Sequence, residues 1–155
     1  MPDDEHDKAG VVAPPPLIYL GVLGAGLLLN RRVPVGSLPR AIARGAGWPL
    51  LGGGVLLVWF EREMRRADTP ASPYKPSSRV ATEGPFRYTR NPGYLSMAMI
   101  YAGIATIANA LWAVLLLPVA LLVIRRGVIE REEDYLERKF GEEYLRYKAQ
   151  VRRWI

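Results

Sequence analysis

The sequence predicts an all-α, polytopic membrane helix bundle of about four spans, with a cytoplasmic amphipathic helix in its C-terminal part. Residues 9–30 and 94–124 carry no charged side chain over 22 and 31 positions, which is rare in a soluble domain of 155 residues. Residues 128–155 are instead rich in charge and repeat apolar side chains at helical spacing. The mean hydropathy of +0.02 hides this segregation.

We expect a single membrane domain over residues 1–155, made of five segments. A polar tail (1–13) precedes two N-terminal spans (14–60), a cytoplasmic insert (61–93), a helical hairpin (94–124) and a final helical segment (125–155). The first two spans cover about 14–29 and 45–60, near the lower limit of about 20 residues for a bilayer crossing. Glycines at 21, 24, 26 and 52–54 predict close helix contacts there.

The insert is expected to be irregular, because prolines stand at positions 70, 73 and 76. Residues 94–124 are too long for one span, so we expect a hairpin that turns at 106–110. The final segment predicts a helix over 128–155, with a break at Gly141. One face of this helix carries apolar side chains at steps of three and four: Leu136, Phe140, Tyr144, Tyr147 and Val151. Residues 151–155 contain a tryptophan and two arginines, which suit a membrane interface.

The distribution of positive charge predicts the orientation. Of 21 Lys and Arg residues, four (Arg31, Arg32, Arg40, Arg44) lie in the connection after the first span, and 17 lie on the opposite side of the predicted bundle. The positive-inside rule places the richer side in the cytoplasm. The sequence therefore predicts a multi-pass protein of the cell (inner) membrane with both termini cytoplasmic.

Several kinds of site are excluded or not expected. There is no cysteine, so disulfides and thiolate chemistry are excluded, and the one histidine, His6, stands in the polar tail. We therefore expect no metal site. The net charge of +6 is better explained by basic loops facing anionic lipid than by nucleic acid. A cleaved signal peptide is not expected, because the first eight residues are acidic rather than basic.

The start of the third span is the first candidate site. Asn91 followed by Pro92 predicts a helix N-cap and first helical position, where unpaired backbone amides favour an anionic group. Arg87 and Arg90 stand just before this point. The alternative is that both arginines only anchor the span among lipid headgroups.

The second candidate site follows the fourth span. In a continuous helix, residues seven apart share a face, so Arg125 is expected to face Glu132 and Arg126 to face Glu133. The two carboxylates border the apolar face of the final helix and are able to bind an ammonium or ribose hydroxyls. The alternative is a solvated helix surface with ion pairs that contribute little individually.

These two stretches, RVATEGPFRYTRNPGYL and EREEDYLERKFGEEYLRYKAQVRRWI, resemble the isoprenylcysteine carboxyl methyltransferase and phospholipid methyltransferase group of integral membrane enzymes. The resemblance covers about residues 68–155. It implies an S-adenosylmethionine pocket at the cytoplasmic face, built from a G-P-[FY]-R-x-x-R-[HN]-P-x-Y motif and a following E-E-x-x-L…F-G-x-x-Y helix. Asn91 stands where the family often has histidine, and Gly93 and Ser96 depart from its glycine pattern.

The resemblance implies that the motif residues lie at the cofactor, and the chemical groups of S-adenosylmethionine suggest the role of each residue. The arginines and the helix N-terminus suit the cofactor carboxylate, the glutamates suit its ammonium, ribose or sulfonium, and the tyrosines offer aromatic faces. The predicted cofactor-binding residues are Arg87, Tyr88, Arg90, Asn91, Pro92, Tyr94, Glu132 and Glu133. Glu132 and Arg126 are the predicted catalytic residues, and Glu132 or Glu133 is the candidate base for an amine or hydroxyl acceptor.

The predicted function is methyl transfer from S-adenosylmethionine to a lipid-like or membrane-dissolved carboxylate or amine. Its expected partners are a lipophilic small-molecule acceptor and membrane lipids, and the sequence does not define the acceptor or the oligomeric state. Two alternatives stay open. One is a non-catalytic small membrane protein that retains the fold, and the other is an NADPH-dependent membrane reductase of the sterol-reductase type.

Overall fold

The computed structural model describes residues 9–155, so His6 and most of the predicted polar tail lie outside the described part. Within it the chain is helical and contains no strand. The α-helices are α1 (Pro15–Arg32), α2 (Arg40–Leu51), α3 (Gly53–Arg66), α4 (Pro92–Ile107), α5 (Leu111–Ile124), α6 (Glu130–Phe140) and α7 (Glu142–Gln150). A 3-10 turn covers Gly84–Arg87, and a π-helical turn covers Arg125–Ile129.

Two of the described helical stretches, Arg40–Arg66 and Leu111–Phe140, are long and apolar enough to cross a membrane. The first contains the predicted second span, although its helix is interrupted at Gly52, and the second contains the fourth span. Helix α4 is apolar but shorter. The all-helical class is confirmed, and the count of four spans stays a prediction.

The chain groups into two compact units. The apolar unit comprises Pro14–Val55 and Tyr94–Ile124. The polar unit comprises Leu56–Gly93 and Arg125–Ile155, together with the described residues 9–13. The single domain with the five segment boundaries given above stays a prediction.

In the apolar unit, helix α1 packs closely on α5. A Cβ atom added to Gly26 would lie 2.5 Å from the Cα atom of Ala113, so only glycine permits this contact. The predicted close contacts are confirmed for Gly26 and Gly53 and are wrong for three glycines that face open space, Gly21, Gly24 and Gly54. The prediction is also wrong for Gly52, because a Cβ atom there would meet only Pro49 of the preceding helix.

The predicted turn between α4 and α5 is confirmed at residues 108–110. Asn109 adopts a positive φ of 53°, which asparagine tolerates better than most residues. Its side-chain amide donates to the carbonyl of Leu38 and accepts from the backbone N–H of Leu38, both at 2.8 Å. This pair of bonds ties the hairpin turn to the connection between α1 and α2.

In the polar unit, the predicted apolar face of the final segment forms the core. Tyr144 and Tyr147 are buried with Phe86, and Phe60, Met64, Val80, Ala81, Leu136, Phe140 and Val151 pack against them. The chain breaks at Gly141, whose φ of 52° suits glycine, and this confirms the predicted break. The predicted helix over 128–155 is wrong at its C-terminal end, because α7 ends at Gln150. Its N-terminal end is helical as predicted, with residues 128–129 in the π-helical turn.

The insert is irregular only after α3 ends. The prediction of a loop from residue 61 is wrong, because α3 continues to Arg66 and its inner side buries Glu63 and half-buries Met64. Residues 67–83 are irregular, as the three prolines predict. The backbone N–H of Ser77 donates to the hydroxyl of Tyr135 at 3.0 Å, which fastens this loop to α6.

Candidate active site

The two candidate motifs meet at one buried ion pair. Arg90 precedes α4 and Glu133 lies in the first turn of α6, and Nη2 of Arg90 donates to Oε1 of Glu133 at 2.9 Å. The two side chains are only 9% and 6% exposed. Charges so little exposed need compensation, because taking them out of water costs several kcal/mol for each ion.

Two further cations surround the same carboxylate. Arg153 donates from Nε to Oε1 of Glu133 at 3.0 Å and from Nη2 to Oε2 at 2.6 Å. Nζ of Lys148 lies 3.9 Å from Oε2 of Glu133 and also pairs with Glu137. The hydrogen bond to Glu133 raises the pKa of Arg153, while burial opposes that shift. We call Arg90, Glu133, Lys148 and Arg153 the arginine–glutamate cluster.

The backbone around this cluster is also paired. The N–H of Arg90 donates to the carbonyl of Arg152 at 3.0 Å, and Nη1 of Arg90 donates to the carbonyl of Lys148 at 3.0 Å. Thr89 Oγ1 and Asn91 Nδ2 both donate to the carbonyl of Arg153, at 3.1 and 2.9 Å. The segment after α7, residues 151–155, therefore packs on residues 89–91. Its expected place at a membrane interface stays a prediction.

Two tyrosines of α7 link this cluster to the 3-10 turn. The hydroxyl of Tyr147 donates to the carbonyl of Phe86 at 2.8 Å, and the rings of Tyr144 and Tyr147 lie 6.1 Å apart. Burial raises the pKa of both phenols. The nearby carboxylate of Glu133 raises the pKa of Tyr144 further, and the positive charge of Arg90 partly offsets the shift at both tyrosines.

A groove of about 570 Å³ lies between the 3-10 turn and α7, and Tyr147 is part of its lining. It is polar and charge-balanced, with two carboxylates and two guanidiniums. Its lining consists of Thr82, Glu83, Arg87, Glu143, Arg146, Tyr147, Gln150 and Val151. Arg87 pairs with Glu83 at 3.1 Å, and both side chains are about two-thirds exposed. The volume is typical of small-ligand sites, which measure roughly 300–1,000 Å³.

The structure brings only some of the predicted site residues together. Arg90, Asn91 and Glu133 meet around the cluster, and Pro92 begins α4 beside them in sequence. Arg87 lines the groove. Tyr88 is 69% exposed and its ring lies 6.4 Å from that of Trp59.

The remaining predicted residues lie elsewhere. Tyr94 belongs to the apolar unit, where its carbonyl accepts a hydrogen bond from the hydroxyl of Tyr19 at 3.1 Å. Glu132 is half-buried in the first turn of α6, and Arg126 is exposed in the π-helical turn.

The expected facing of cations and carboxylates seven residues apart is wrong. Arg125 pairs with Glu130 at 3.0 Å, and the carboxylate of Glu133 is held by Arg90 and Arg153 rather than by Arg126. The cause is the π-helical turn at Arg125–Ile129, since its wider winding shifts the register of the helix after it.

Sequence reasoning missed Arg153 and Lys148, and also most of the groove lining. Arg153 gave no signal, because it stands among interfacial residues in a segment assigned to the membrane surface. The groove residues of α7 did leave a signal in the sequence, because Glu143, Arg146 and Gln150 follow each other at steps of three and four beside the apolar face.

Comparison with known proteins decides the family. A family model described as phospholipid methyltransferase matches residues 43–143, which is more than half of the chain and includes the whole first motif and most of the second. The chain belongs to the phospholipid methyltransferase family. This membership confirms the resemblance seen in the motifs and implies methyltransferase activity in general.

The family match is accompanied by a similar bacterial protein. The chain is 49% identical over 63 residues to an uncharacterized protein of Haemophilus influenzae, a region that covers 40% of this chain and 98% of the relative. No solved structure matches the chain. Together with the two apolar helices, the family indicates a membrane protein.

Proposed function

We propose that this protein is a multi-pass membrane methyltransferase that moves a methyl group from S-adenosylmethionine to a lipid-like or membrane-dissolved acceptor. The observation that carries the proposal is the match to the phospholipid methyltransferase family over residues 43–143. No comparable observation favours the reductase or the non-catalytic protein.

The chemistry of the polar unit fits the proposed cofactor. Arg87 and Arg146 are donors for its carboxylate, and Glu83 and Glu143 are acceptors for its ammonium and ribose hydroxyls. Among the described side chains, Nε of Arg90 is buried without a hydrogen-bond partner, a donor of the kind that an anionic group satisfies. When bound, S-adenosylmethionine supplies a methyl group already activated by its sulfonium.

We assign the residues of this chain two kinds of role. Arg87 contacts the cofactor in the groove, and the other predicted contacts within the same unit, which lie outside the groove lining, are Tyr88, Pro92 and Glu132. Arg90, Asn91 and Glu133 fix the position of the two motifs through hydrogen bonds, and Nε of Arg90 is the donor that stays available to an anionic group of the cofactor. The catalytic contribution is then mainly orientation of the reactants, which lowers the barrier without a covalent intermediate.

The acceptor chemistry decides the role of Glu132. A carboxylate acceptor needs no base, and Glu132 then only stabilises positive charge near the reacting carbon. An amine or hydroxyl acceptor has to lose a proton, and Glu132 is the base, with the exposed Arg126 close to it in sequence. Both residues follow α5 in sequence and lie within the long apolar helical stretch Leu111–Phe140.

We place the site at the cytoplasmic face of the inner membrane, in a four-span topology with both termini inside. The support is the uneven distribution of the cations, 17 of which lie on one side of the predicted bundle. Reporter fusions after Asn30 and after Ile155 test this topology. We expect a periplasmic signal from the first and a cytoplasmic signal from the second, and the reverse pair would invert the topology.

Binding in detergent separates the three functions. We expect calorimetry of the purified chain to show binding of S-adenosylhomocysteine and none of NADPH. Binding of NADPH alone would favour the reductase, and binding of neither ligand would favour the non-catalytic protein.

A further inference from the structure

Residues 151–155, which we call the clasp, follow α7 and lie against the turn that precedes α4. The carbonyl of Arg152 accepts from the backbone N–H of Arg90 at 3.0 Å. The next carbonyl, that of Arg153, accepts from the side chains of Thr89 and Asn91 at 3.1 and 2.9 Å. Three donors of the first motif are therefore satisfied by two consecutive carbonyls of the clasp.

The carbonyl of Arg153 binds the first motif, whereas its side chain binds the second motif. Its Nε and Nη2 atoms donate to the two different oxygens of Glu133, at 3.0 and 2.6 Å. A third nitrogen, Nη1, lies 3.5 Å from the carboxylate of Glu130. A bidentate guanidinium fixes the plane of a carboxylate as well as its position, which a lysine ammonium cannot do.

One residue thus holds both motifs. The carbonyl of Arg153 restrains residues 89 and 91, and its guanidinium restrains Glu133, so the Arg90–Glu133 pair sits between two anchors on the same residue. We infer that Arg153 is a positioning residue for methyl transfer, one that keeps the two motifs in the geometry that binds the cofactor. This inference rests on the function proposed above.

The neighbouring residue provides a matched control. Arg152 uses its carbonyl in the same clasp, but its side chain is exposed. Exchanging the side chain of Arg152 therefore removes one positive charge from the same segment and leaves the contacts to both motifs intact. A change that comes only from the loss of one positive charge in the clasp is expected in the Arg152→Met and the Arg153→Met variants alike. A change in cofactor binding that comes from positioning the motifs is expected only in the Arg153 variants.

The test compares Arg153→Met, Arg153→Lys and Arg152→Met in the full chain in detergent. The measurements are the Kd of S-adenosylhomocysteine, the thermal midpoint, and kcat and the KM for S-adenosylmethionine with a total extract of lipids and small apolar molecules as acceptor. For Arg153→Met we expect Kd and KM to rise together by about tenfold or more, with kcat per folded molecule changed by less than about threefold. Arg153→Lys should recover part of the affinity because it keeps the charge, and Arg152→Met should match the wild type.

A purely structural role gives a different pattern. In that case both Arg153 variants lower the thermal midpoint while the Kd and KM of the folded fraction stay at the wild-type values, and the inference is overturned. If Arg153→Met does not fold, Arg153→Lys decides, since an unchanged Kd in that variant also overturns the inference. A wild-type chain that neither binds S-adenosylhomocysteine nor transfers methyl refutes the proposed function and the inference with it.

Discussion

Arg90 and Glu133 stand 43 residues apart in sequence, yet their side chains form a hydrogen bond of 2.9 Å in the buried part of the polar unit. Arg90 belongs to the first sequence motif and Glu133 to the second, and the family match over residues 43–143 includes both residues and the hairpin of α4 and α5 between them. The pair therefore joins the two motifs within the polar unit. Glu133 is the buried counter-charge of Arg90 and is also paired with Arg153.

The first prediction concerns the cost of breaking this cluster. Glu133→Gln leaves Arg90 and Arg153 without their buried counter-charge, and we expect a loss of about 3–5 kcal/mol in unfolding free energy. For a chain of this size that corresponds to a fall of roughly 6–20 °C in the thermal midpoint. Differential scanning calorimetry in detergent measures it. Glu142→Gln, an exposed carboxylate exchanged in the same way, is the control, and equal shifts in both variants would contradict the buried role.

The second prediction concerns the contact between α1 and α5. In Gly26→Ala the new methyl group meets the backbone of Ala113, which has no flexible end to move aside. We expect a destabilisation of about 1–3 kcal/mol, typical of overpacking. Gly24→Ala is the matched control, because it makes the same exchange two positions earlier, where no atom lies within 4 Å. A Gly24→Ala variant as unstable as Gly26→Ala would contradict the packing described.

The third prediction is a loss of stability at high pH. Burial raises the pKa of Tyr144 and Tyr147 above the ordinary value near 10, so the folded chain holds these protons to higher pH than the unfolded chain. Their contribution is therefore complete below about pH 10 and is lost as the pH rises above it. Thermal midpoints between pH 8 and 11.5 should show this fall.

Substitution of one phenol identifies the source of that fall. Tyr147→Phe should be less stable than the wild type near pH 7, because the buried carbonyl of Phe86 loses its donor. The same variant should lose less stability than the wild type between pH 9 and 11.5. Tyr74→Phe, at a half-exposed position, should follow the wild-type curve, and parallel curves for all three proteins would exclude the buried phenols as the cause.

The fourth prediction separates binding from catalysis at Glu132. If this carboxylate mainly holds the cationic cofactor, Glu132→Gln removes a charge-assisted hydrogen bond worth about 1.5–3 kcal/mol and weakens binding by about ten- to a hundredfold. If it acts as a base, binding persists and turnover falls by roughly a hundredfold or more. We expect the first result. Calorimetry and single-turnover methylation measure both quantities, with Asp134→Asn on the same helix as the control.

Much of this architecture follows from local patterns in the sequence. Hydropathy and helical spacing predict the helices, the turn at Asn109 and the core face from Leu136 to Val151, because each depends on neighbouring residues. The π-helical turn at Arg125–Ile129 could not be predicted in this way. This turn leaves no clear signal in the composition, yet with it Arg125 pairs with Glu130 and not with Glu132 as the sequence predicts.

The partners of the site depend on long-range contacts and were harder to predict. The sequence indicates that Arg90 and Glu133 belong to functional motifs, but it does not indicate that Arg153 completes their charge balance. That contact exists only because α7 ends at Gln150 and the chain then turns back on residues 89–91. A residue recruited by tertiary structure alone carries no periodic or motif signal.

The most direct test of the account is transfer of labelled methyl from S-adenosylmethionine by the purified chain in detergent. The acceptor is a total extract of lipids and small apolar molecules, and the labelled product is identified by mass spectrometry. Glu133→Gln, assayed at a temperature where it is folded, is the comparison. We expect a labelled lipophilic product with the wild type and at least about tenfold less with the variant. No labelled product with a folded wild-type chain that also fails to bind S-adenosylhomocysteine would contradict the account.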